Sequence, residues 1–253
     1  MRAQFTALAA GALLALGAHA QESPLTLGAG LHYSEGDYGT GSETRITSLA
    51  ATARYEQDRW TYRATVPYLR VDGNNSVIPG VGRVRGASSQ RTTESGLGDI
   101  VLGATYNAYY DAASTLGADL TGKVKLPTAD ENRGLGTGEA DFAFLVDVFK
   151  TFERITAFGG VGYHVLGDAP GLPLHNVWSA NLGASYRIDE RDSAGVSLDG
   201  RERAAPGSER QRELTAFFTR KLDRLWKAQV YGLLGFADGS PDWGAGLTLA
   251  RPF

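Results

Sequence analysis

A set of ionisable side chains shares a spacing that would place them on one face of an extended chain. Asp119, Lys123 and Lys125 stand at odd positions and alternate with mostly apolar residues, and the same spacing continues in neighbouring stretches. A face that carries both signs of charge can form ion pairs, whereas an ion-selective filter needs a ring of one sign. The plain alternative is a solvated or salt-bridged lining with no selective role. The full set comprises Arg54, Arg63, Asp99, Asp119, Lys123, Lys125, Asp141, Asp147, His164, Arg187 and Asp199.

Histidine and serine offer a second kind of chemistry, nucleophilic or acid–base catalysis. A hydrolase of this type needs a serine beside a histidine that a third polar group orients. Beyond the first twenty residues the histidines are His32, His164 and His175, and none of them stands in a recognisable serine motif. The sequence therefore predicts no catalytic residue.

Acidic and glycine-rich segments do not indicate a bound ion or cofactor. The acidic pair Asp130 and Glu131 lacks the twelve-residue ligand spacing of a calcium loop. The run from Gly134 to Gly138 lacks the Lys-Ser/Thr tail of a phosphate-binding loop. The chain contains no cysteine, which excludes thiolate ligands. We expect neither a metal nor a cofactor.

The elements that would position the ionisable set are β-strands. From Ile100 to Tyr110 and from Leu116 to Leu126, apolar residues alternate with polar ones, the period of a strand with unlike faces. Both runs exceed the usual 5 to 6 residues and match the roughly 9 to 11 that a tilted strand needs to cross a bilayer. In a soluble sandwich the apolar face would point inward. In a membrane barrel it meets lipid, and the polar face lines the lumen.

Twelve such segments follow one another, an even number as in bacterial single-chain barrels. The connections after even-numbered segments are short and mostly polar, and those after odd-numbered segments are generally longer. This asymmetry is typical of periplasmic turns and extracellular loops. The sequence therefore predicts an all-β, transmembrane, antiparallel up-and-down β-barrel. The predicted strands cover residues 25–35, 44–55, 59–70, 97–110, 115–126, 140–150, 154–166, 176–188, 193–201, 211–221, 226–236 and 243–253.

The two ends of the chain indicate export to the outer membrane of a Gram-negative cell. Residues 1–20 combine a basic start, a short apolar run and a terminal Ala-His-Ala, so we predict a signal peptide cleaved after Ala20 and a barrel over residues 21–253. Phe253 ends an alternating strand and resembles the signal that the barrel assembly machinery reads. Expected partners are outer-membrane lipids, that machinery and a small-molecule solute. The net charge of −3 gives no footprint for nucleic acid.

One long connection, from Val71 to Ser95, stands apart from the others. It holds Val77, Ile78 and Pro79 among Gly, Asn and Ser residues. A loop of this length is usually functional or disordered. It would either fold inward as a constriction or remain outside as a surface loop.

Three short motifs carry a family resemblance. They are Gly96-Leu97-Gly98-Asp99, Lys125-Leu126-Pro127-Thr128, and the run from Gly134 to Gly138 ahead of Asp141. Together they resemble the outer-membrane family labelled for the MetA pathway of phenol degradation. That family usually has glycine after the Pro-Thr pair, where this chain has Ala129. The resemblance implies an outer-membrane barrel, and members of the family are generally regarded as transport-like.

The predicted function is passive uptake of a small aromatic or hydrophobic solute through a monomeric, porin-like barrel. The main alternative is a plugged barrel with a structural or surface role. A lipid hydrolase, like the twelve-strand outer-membrane phospholipase A, is less favoured because no nucleophile–base pair is evident. If Lys123 and Lys125 line an open pore, changing both to Glu should alter conductance or ion preference while the fold is retained.

Overall fold

The computed structural model describes residues 24–74, 76–84 and 91–253, so the predicted signal peptide lies outside the described residues. The chain forms strands joined by turns and loops, with a short 3-10 helix at Glu131–Arg133. Within the described ranges, no helix is long and apolar enough to span a membrane. The strands are β1 Leu25–Gly36, β2 Thr44–Gln57, β3 Trp60–Asn74, β4 Val77–Ile78, β5 Gly82–Arg83, β6 Arg91–Leu97, β7 Ile100–Asp111, β8 Leu116–Leu126, β9 Asp141–Phe152, β10 Ile155–Val165, β11 Val177–Arg187, β12 Asp192–Arg201, β13 Gln211–Lys221, β14 Lys227–Gly235 and β15 Trp243–Pro252.

A single 13-stranded antiparallel sheet closes on itself. Its order is β2, β1, β15, then back along the chain from β14 to β7, followed by β3 and β6, and a further β2–β3 pairing completes the ring. Strands β6 and β7 pair with successive parts of β3, so together they fill one position in the wall. The barrel therefore has twelve wall positions, and the predicted fold class is confirmed.

The predicted fourth strand, 97–110, begins earlier than expected and is interrupted. Strand β6 starts at Arg91, and the wall breaks at Gly98 and Asp99 before β7 begins at Ile100. On the neighbouring β3, Pro67 has no N–H to donate, and its carbonyl accepts a 2.8 Å hydrogen bond from Gly98 N. A proline inside a strand removes a ladder bond, which explains why the pairing changes at this point.

Apolar side chains point outward from the wall. On β9, Phe144, Val146 and Val148 are 62%, 44% and 46% exposed, whereas Ala143 on the other face is 3% exposed. Contact of apolar surface with water costs roughly 25 cal/mol for each Å². This outer face is therefore suited to lipid, as in membrane barrels.

Aromatic rings pair at both ends of the outer face. The ring centroids of Trp60 and Tyr106 lie 4.9 Å apart beside the turn that joins β2 to β3. Those of Tyr163 and Trp178 lie 4.8 Å apart at the opposite end, where β10 leads to β11 through a long loop. Amphipathic rings prefer the headgroup level of a bilayer. The two pairs thus mark the two edges of the apolar band.

Aspartate side chains close two of the short turns. Asp189 Oδ1 accepts hydrogen bonds of 2.7 Å from the backbone N–H groups of Arg191 and Asp192. Asp223 makes the same two contacts in the turn before β14. These bonds favour the ionised carboxylates and lower the pKa of both aspartates. An aspartate that bonds the backbone two residues on is a recognised turn signal, so the polar composition predicts these turns well.

The connection between β3 and β6 folds into the barrel. Strands β4 and β5 form a hairpin, in which Val77 and Ile78 are 2% and 3% exposed. Pro79 and Gly80 stand at the centre of its turn, where Gly80 has φ 88 and Val81 N donates a 3.1 Å hydrogen bond to Ile78 O. This is the arrangement of a type II turn. We call residues 76–84 the lumen hairpin.

The lumen hairpin corrects the prediction of one long loop over 71–95. Strand β3 continues to Asn74 and pairs with β6 from Arg91, so both wall strands extend into that range. Of the two paths considered, residues 76–84 take the inward one. Residue 75 and residues 85–90 lie outside the described part of the chain. The hairpin residues Ile78, Val81 and Val84 pack against Ala169, Leu172, Val177 and Ala204 from other connections and strand ends.

Aromatic rings on the inner face lie over glycines of neighbouring strands. Phe149 is directly opposite Gly117, and Phe217 is directly opposite Gly195. A Cβ atom on either glycine would overlap the ring, so only glycine permits these contacts. A larger residue would push the ring into the lumen. The same arrangement recurs for Phe158 over Gly183 and Tyr231 over Gly246.

Candidate functional site

Three residues of the predicted ionisable set meet in one buried cluster. Lys125 Nζ lies 3.0 Å from Asp99 Oδ2 and 2.8 Å from Asp141 Oδ2. The side chains of Lys125 and Asp99 are each 3% exposed, and that of Asp141 is 13% exposed. Buried charges are tolerated when they are paired and hydrogen-bonded. We call these three residues the charge triad.

The loop after β8 completes the charge triad with hydrogen bonds. Asp99 Oδ1 accepts a 2.9 Å bond from Ala129 N, and Lys125 Nζ donates a 2.9 Å bond to Thr137 Oγ1. Gly136 approaches so closely that a Cβ there would lie 2.8 Å from Ala129 Cβ and 2.9 Å from Asp99 Oδ2. Ala129 is not among the non-glycine residues with positive φ. Alanine therefore serves at the position where the family usually has glycine.

The hydroxyl of Thr128 forms hydrogen bonds with backbone groups on both sides of the break between β6 and β7. Thr128 Oγ1 accepts a 2.9 Å hydrogen bond from Ile100 N and donates a 2.9 Å bond to Gly98 O. These backbone groups would otherwise lose partners where β6 gives way to β7. The three motifs of the family resemblance thus come together as one structural unit at the long-loop end of the barrel.

A second group of residues follows an oblique row across the inner wall. In the register of the sheet, Arg54 pairs with Arg63, and Arg63 pairs through Gly103 with Lys123. Lys123 in turn pairs through Ala143 with His164. Directly paired residues have Cβ atoms about 4.5 to 5.5 Å apart. The register therefore places residues from distant parts of the sequence along one band. We call Arg54, Arg63, Lys123 and His164 the basic row.

A parallel row carries carboxylates. Asp119 pairs with Asp147, which connects through Gly160 and Asn181 to Asp199. Asp199 pairs directly with Glu213. On β8, Asp119 and Lys123 share a face with Thr121 between them, so the two bands are separated by one row, which reaches Arg201 through Ser179. We call Asp119, Asp147, Asp199 and Glu213 the acidic row.

One predicted residue, Arg187, is not brought to either row or to the charge triad. It ends β11 beside a short turn, is exposed, and donates a 3.0 Å hydrogen bond to Glu153 O. The inner wall also carries Arg201 and Glu213, two ionisable residues that are not in the predicted set. Arg201 has the same parity as Asp199, and Glu213 the same parity as buried Thr215. Carrying strict alternation to the end of β12 would have found Arg201.

The tip of the lumen hairpin divides the upper lumen into two pockets. The first, which we call the charged pocket, spans about 470 Å³ of empty space, counting the part that is continuous with solvent. The charge triad, Lys123, His164 and Arg201 line one side, and hairpin residues 78–81 line the other. This pocket combines several ionic groups with an apolar hairpin tip.

The second pocket, the apolar pocket, encloses about 730 Å³ of empty space, counting the part that is continuous with solvent. Small-molecule sites are mostly apolar with a few polar groups. Its polar side chains come from Ser34, Ser48 and Glu213 and from the hydroxyl-bearing rings of Tyr33, Tyr38 and Tyr231. Its apolar wall residues include Ile46, Pro67, Leu69 and Leu233, and hairpin residues 77–80 complete it.

Two arginines hold the lumen hairpin in place. Arg201, on the wall, donates hydrogen bonds of 3.0 Å to Gly80 O and 3.3 Å to Val81 O. Arg83, on the hairpin, donates a 2.7 Å bond from Nε to Gly207 O and a further bond to the carbonyl of Gly39. Hydrogen bonds from charged donors are stronger than those between neutral groups. The hairpin is therefore tied both to the wall and to two of the long loops.

A histidine and a serine do meet inside the barrel. His164 Nε2 lies 2.8 Å from Ser179 Oγ, the contact that a nucleophile and base would need. His164 is 4% exposed and faces the interior, whereas lipid would contact the outer face. The pair is thus placed in the polar lining and away from lipid. In residues 24–74, 76–84 and 91–253, no three His, Cys, Asp or Glu side chains gather as metal ligands would.

These features define a class of protein. A closed barrel with an apolar outer band, charged inner rows and a hairpin inside is an outer-membrane-type β-barrel with a constricted lumen. The model of the family described as "Putative MetA-pathway of phenol degradation" matches residues 18–217, and the chain belongs to this family. No curated protein sequence matches the chain significantly.

Solved structures show the same fold. The COG4313 outer membrane channel from Pseudomonas putida F1 is similar with a TM-score of 0.71 and 15% identity, over 94% of this chain and 98% of that one. The translocator domain of autotransporter NalP from Neisseria meningitidis has a TM-score of 0.56 and 10% identity, over 100% and 96% of the two chains. The Pseudomonas putida toluene transporter TodX has a TM-score of 0.50 and 10% identity, over 92% and 91%. At these identities the likeness concerns the fold.

Proposed function

We propose that the protein is an outer-membrane channel that admits small aromatic or hydrophobic solutes past the lumen hairpin. The observation that carries this proposal is the apolar pocket beside the hairpin tip, inside a barrel whose inner wall also carries the basic and acidic rows. Membership of the phenol-degradation family supports an aromatic solute. Two proteins of similar structure are an outer membrane channel and a toluene transporter, which agrees with this class of function.

The proposal includes location and assembly. In outer-membrane barrels the short turns face the periplasm and the long loops face outside. The charge triad and the lumen hairpin would then lie at the outer mouth, where a solute enters. Cleavage after Ala20, and recognition of the last strand through Phe253 by the barrel assembly machinery, remain predictions.

Single-channel recording of the refolded mature protein in a planar bilayer tests the proposal. We expect discrete conductance steps that phenol or toluene reduces as the solute occupies the apolar pocket. Sucrose at equal concentration controls for changes in the bulk solution. Silence from a protein whose circular dichroism shows a folded barrel would contradict an open channel.

A second candidate function, a plugged barrel with a surface role, is favoured by one observation. The lumen hairpin is buried in an apolar cluster and held by Arg83 and Arg201. If the bilayer remains silent with every solute, this candidate replaces the channel, and partners of the long loops become the next subject of study.

Changing Lys123 to Glu is expected to shift ion preference toward cations, with about a twofold change in the permeability ratio, because a carboxylate then replaces a cation in the basic row. The reversal potential in a salt gradient measures this shift. Lys125 is unsuitable for the same test, since a carboxylate there would join two buried carboxylates. Lys150→Glu is the matched control, because Lys150 lies over the Phe152 ring on the outer face. An unchanged reversal potential in an open Lys123→Glu channel would remove Lys123 from the ion path.

A further inference from the structure

Glu213 lines the apolar pocket and carries a buried polar atom. Its side chain belongs to a residue that is 4% exposed, and Oε1 is buried without a hydrogen-bond partner among the residues that the structure describes. Ser48, on a separate strand that lines the same pocket, is 3% exposed, and its Oγ is likewise without a partner in the described chain. Buried polar groups are nearly always hydrogen-bonded in folded proteins. These two atoms therefore indicate a site that a polar ligand or water completes.

The chemistry of Glu213 restricts what that ligand can be. A carboxylate oxygen only accepts hydrogen bonds, so the ligand must bring an O–H or N–H donor. Nearby, Tyr231 is already engaged, since its hydroxyl lies 3.0 Å from His32 Nδ1. A second carboxylate in the pocket would meet like charge and would be disfavoured. A neutral ligand with one donor group fits the polar side of the pocket.

The other residues of the pocket favour a ligand whose remaining part is apolar. Ile46, Leu69 and Leu233 line it, together with Pro67 and the apolar tip of the lumen hairpin. Burial of an apolar ring against these residues is favourable. Donor and ring must therefore belong to one compact molecule.

We propose that the apolar pocket is a recognition site for neutral aromatic molecules that carry a hydroxyl or amino group, and that Glu213 Oε1 accepts the hydrogen bond from that group. Ser48 Oγ is available to a second polar group of the solute. Glu213 is thereby a specificity-determining residue. This inference rests on the proposed passage of aromatic solutes and identifies which of them the channel selects.

Calorimetric titration of the refolded protein in detergent with phenol, toluene and benzoate tests the inference. Phenol and toluene have nearly the same shape, but only phenol donates a hydrogen bond. We expect phenol to bind about tenfold more tightly than toluene, the value of one hydrogen bond to a charged acceptor. We expect benzoate, an anion, to bind more weakly than phenol.

Glu213→Gln should remove most of the preference for phenol over toluene, because the charged acceptor is replaced by a neutral amide. Glu209→Gln is the matched control, since Glu209 is exposed in the loop just before β13. Equal binding of phenol and toluene by the unaltered protein would overturn the inference without any variant. A preference that survives in a folded Glu213→Gln protein would overturn the role of Glu213.

Failure of this inference and failure of the proposed function are distinguishable. Calorimetry needs no open pore, so a barrel that prefers phenol but never conducts supports the site and contradicts the channel. A barrel that conducts but binds phenol and toluene equally supports the channel and contradicts the site.

Discussion

Replacing Lys125 with methionine is expected to lower the free energy of unfolding by about 3 to 5 kcal/mol, the usual cost of removing one partner from a buried ion pair. The change leaves Asp99 and Asp141 buried without the ammonium that lies 3.0 and 2.8 Å from them. Each carboxylate keeps one backbone donor, Ala129 N for Asp99 and Gly167 N for Asp141. One neutral donor does not compensate for a lost charge, so two like charges remain in a poorly solvated site.

Urea unfolding in detergent micelles, followed by tryptophan fluorescence, measures this loss. Lys150→Met is the matched control, because it removes the same charge from the outer face, and it should cost less than about 1 kcal/mol. Adding Asp99→Asn and Asp141→Asn to Lys125→Met should restore part of the stability, since no buried charge is then left unpaired. If Lys125→Met is no less stable than Lys150→Met, the charge triad does not stabilise the barrel.

The local sequence pattern was sufficient to predict the strands that form the wall of this barrel. Strand β8 keeps an apolar face and a polar or glycine face over its whole length, and a one-residue slip would turn every side chain to the wrong face. Turns such as the one at Asp189 carry their own polar signal. For these reasons strand number, order and approximate ends could be predicted from the sequence alone.

Register could not be predicted in this way. Alternation assigns Arg63 and Lys123 to a face, but their common row depends on hydrogen bonds between separate strands. Glu213 was missed because residues 209–213 carry charge on both parities, as Arg210, Arg212 and Glu209 show. The Pro79-Gly80 pair did signal a turn. Nothing local to it indicates that the turn lies inside a barrel.

The motifs of the family resemblance and the proposed recognition residue lie in different parts of the barrel. The motifs that carry the resemblance surround the charge triad, where Asp99, Lys125 and Thr128 satisfy one another and the neighbouring backbone. The proposed recognition residue Glu213 lies on β13, outside those motifs. The motifs therefore account for a shared scaffold. Differences in solute among similar barrels would arise from residues like Glu213 and from the hairpin tip.

Replacing residues 77–83 with a Gly/Ser segment of equal length is expected to raise single-channel conductance by roughly twofold or more, since the hairpin tip occupies the space between the two pockets of a twelve-strand barrel. The wall should persist, because β3 and β6 pair outside the replaced segment from residue 68 to residue 74. The same variant should lose phenol binding in the apolar pocket, since the hairpin supplies one of its walls. Planar-bilayer recording and calorimetry on one preparation measure both effects.

A single substitution distinguishes the effect of loosening the hairpin from the effect of removing it. Arg201→Gln takes away the charged donor to Gly80 O and Val81 O while the apolar contacts of Ile78 remain. We therefore expect the conductance of this variant to fluctuate between the unaltered level and the higher level of the hairpin replacement. Arg210→Gln, at an exposed arginine of the loop before β13, should keep the steady unaltered level. If the hairpin replacement folds as a barrel yet conducts no more than the unaltered protein, the hairpin is not the constriction, and the narrowest point must lie deeper, where Phe149 and Phe217 lie against the wall.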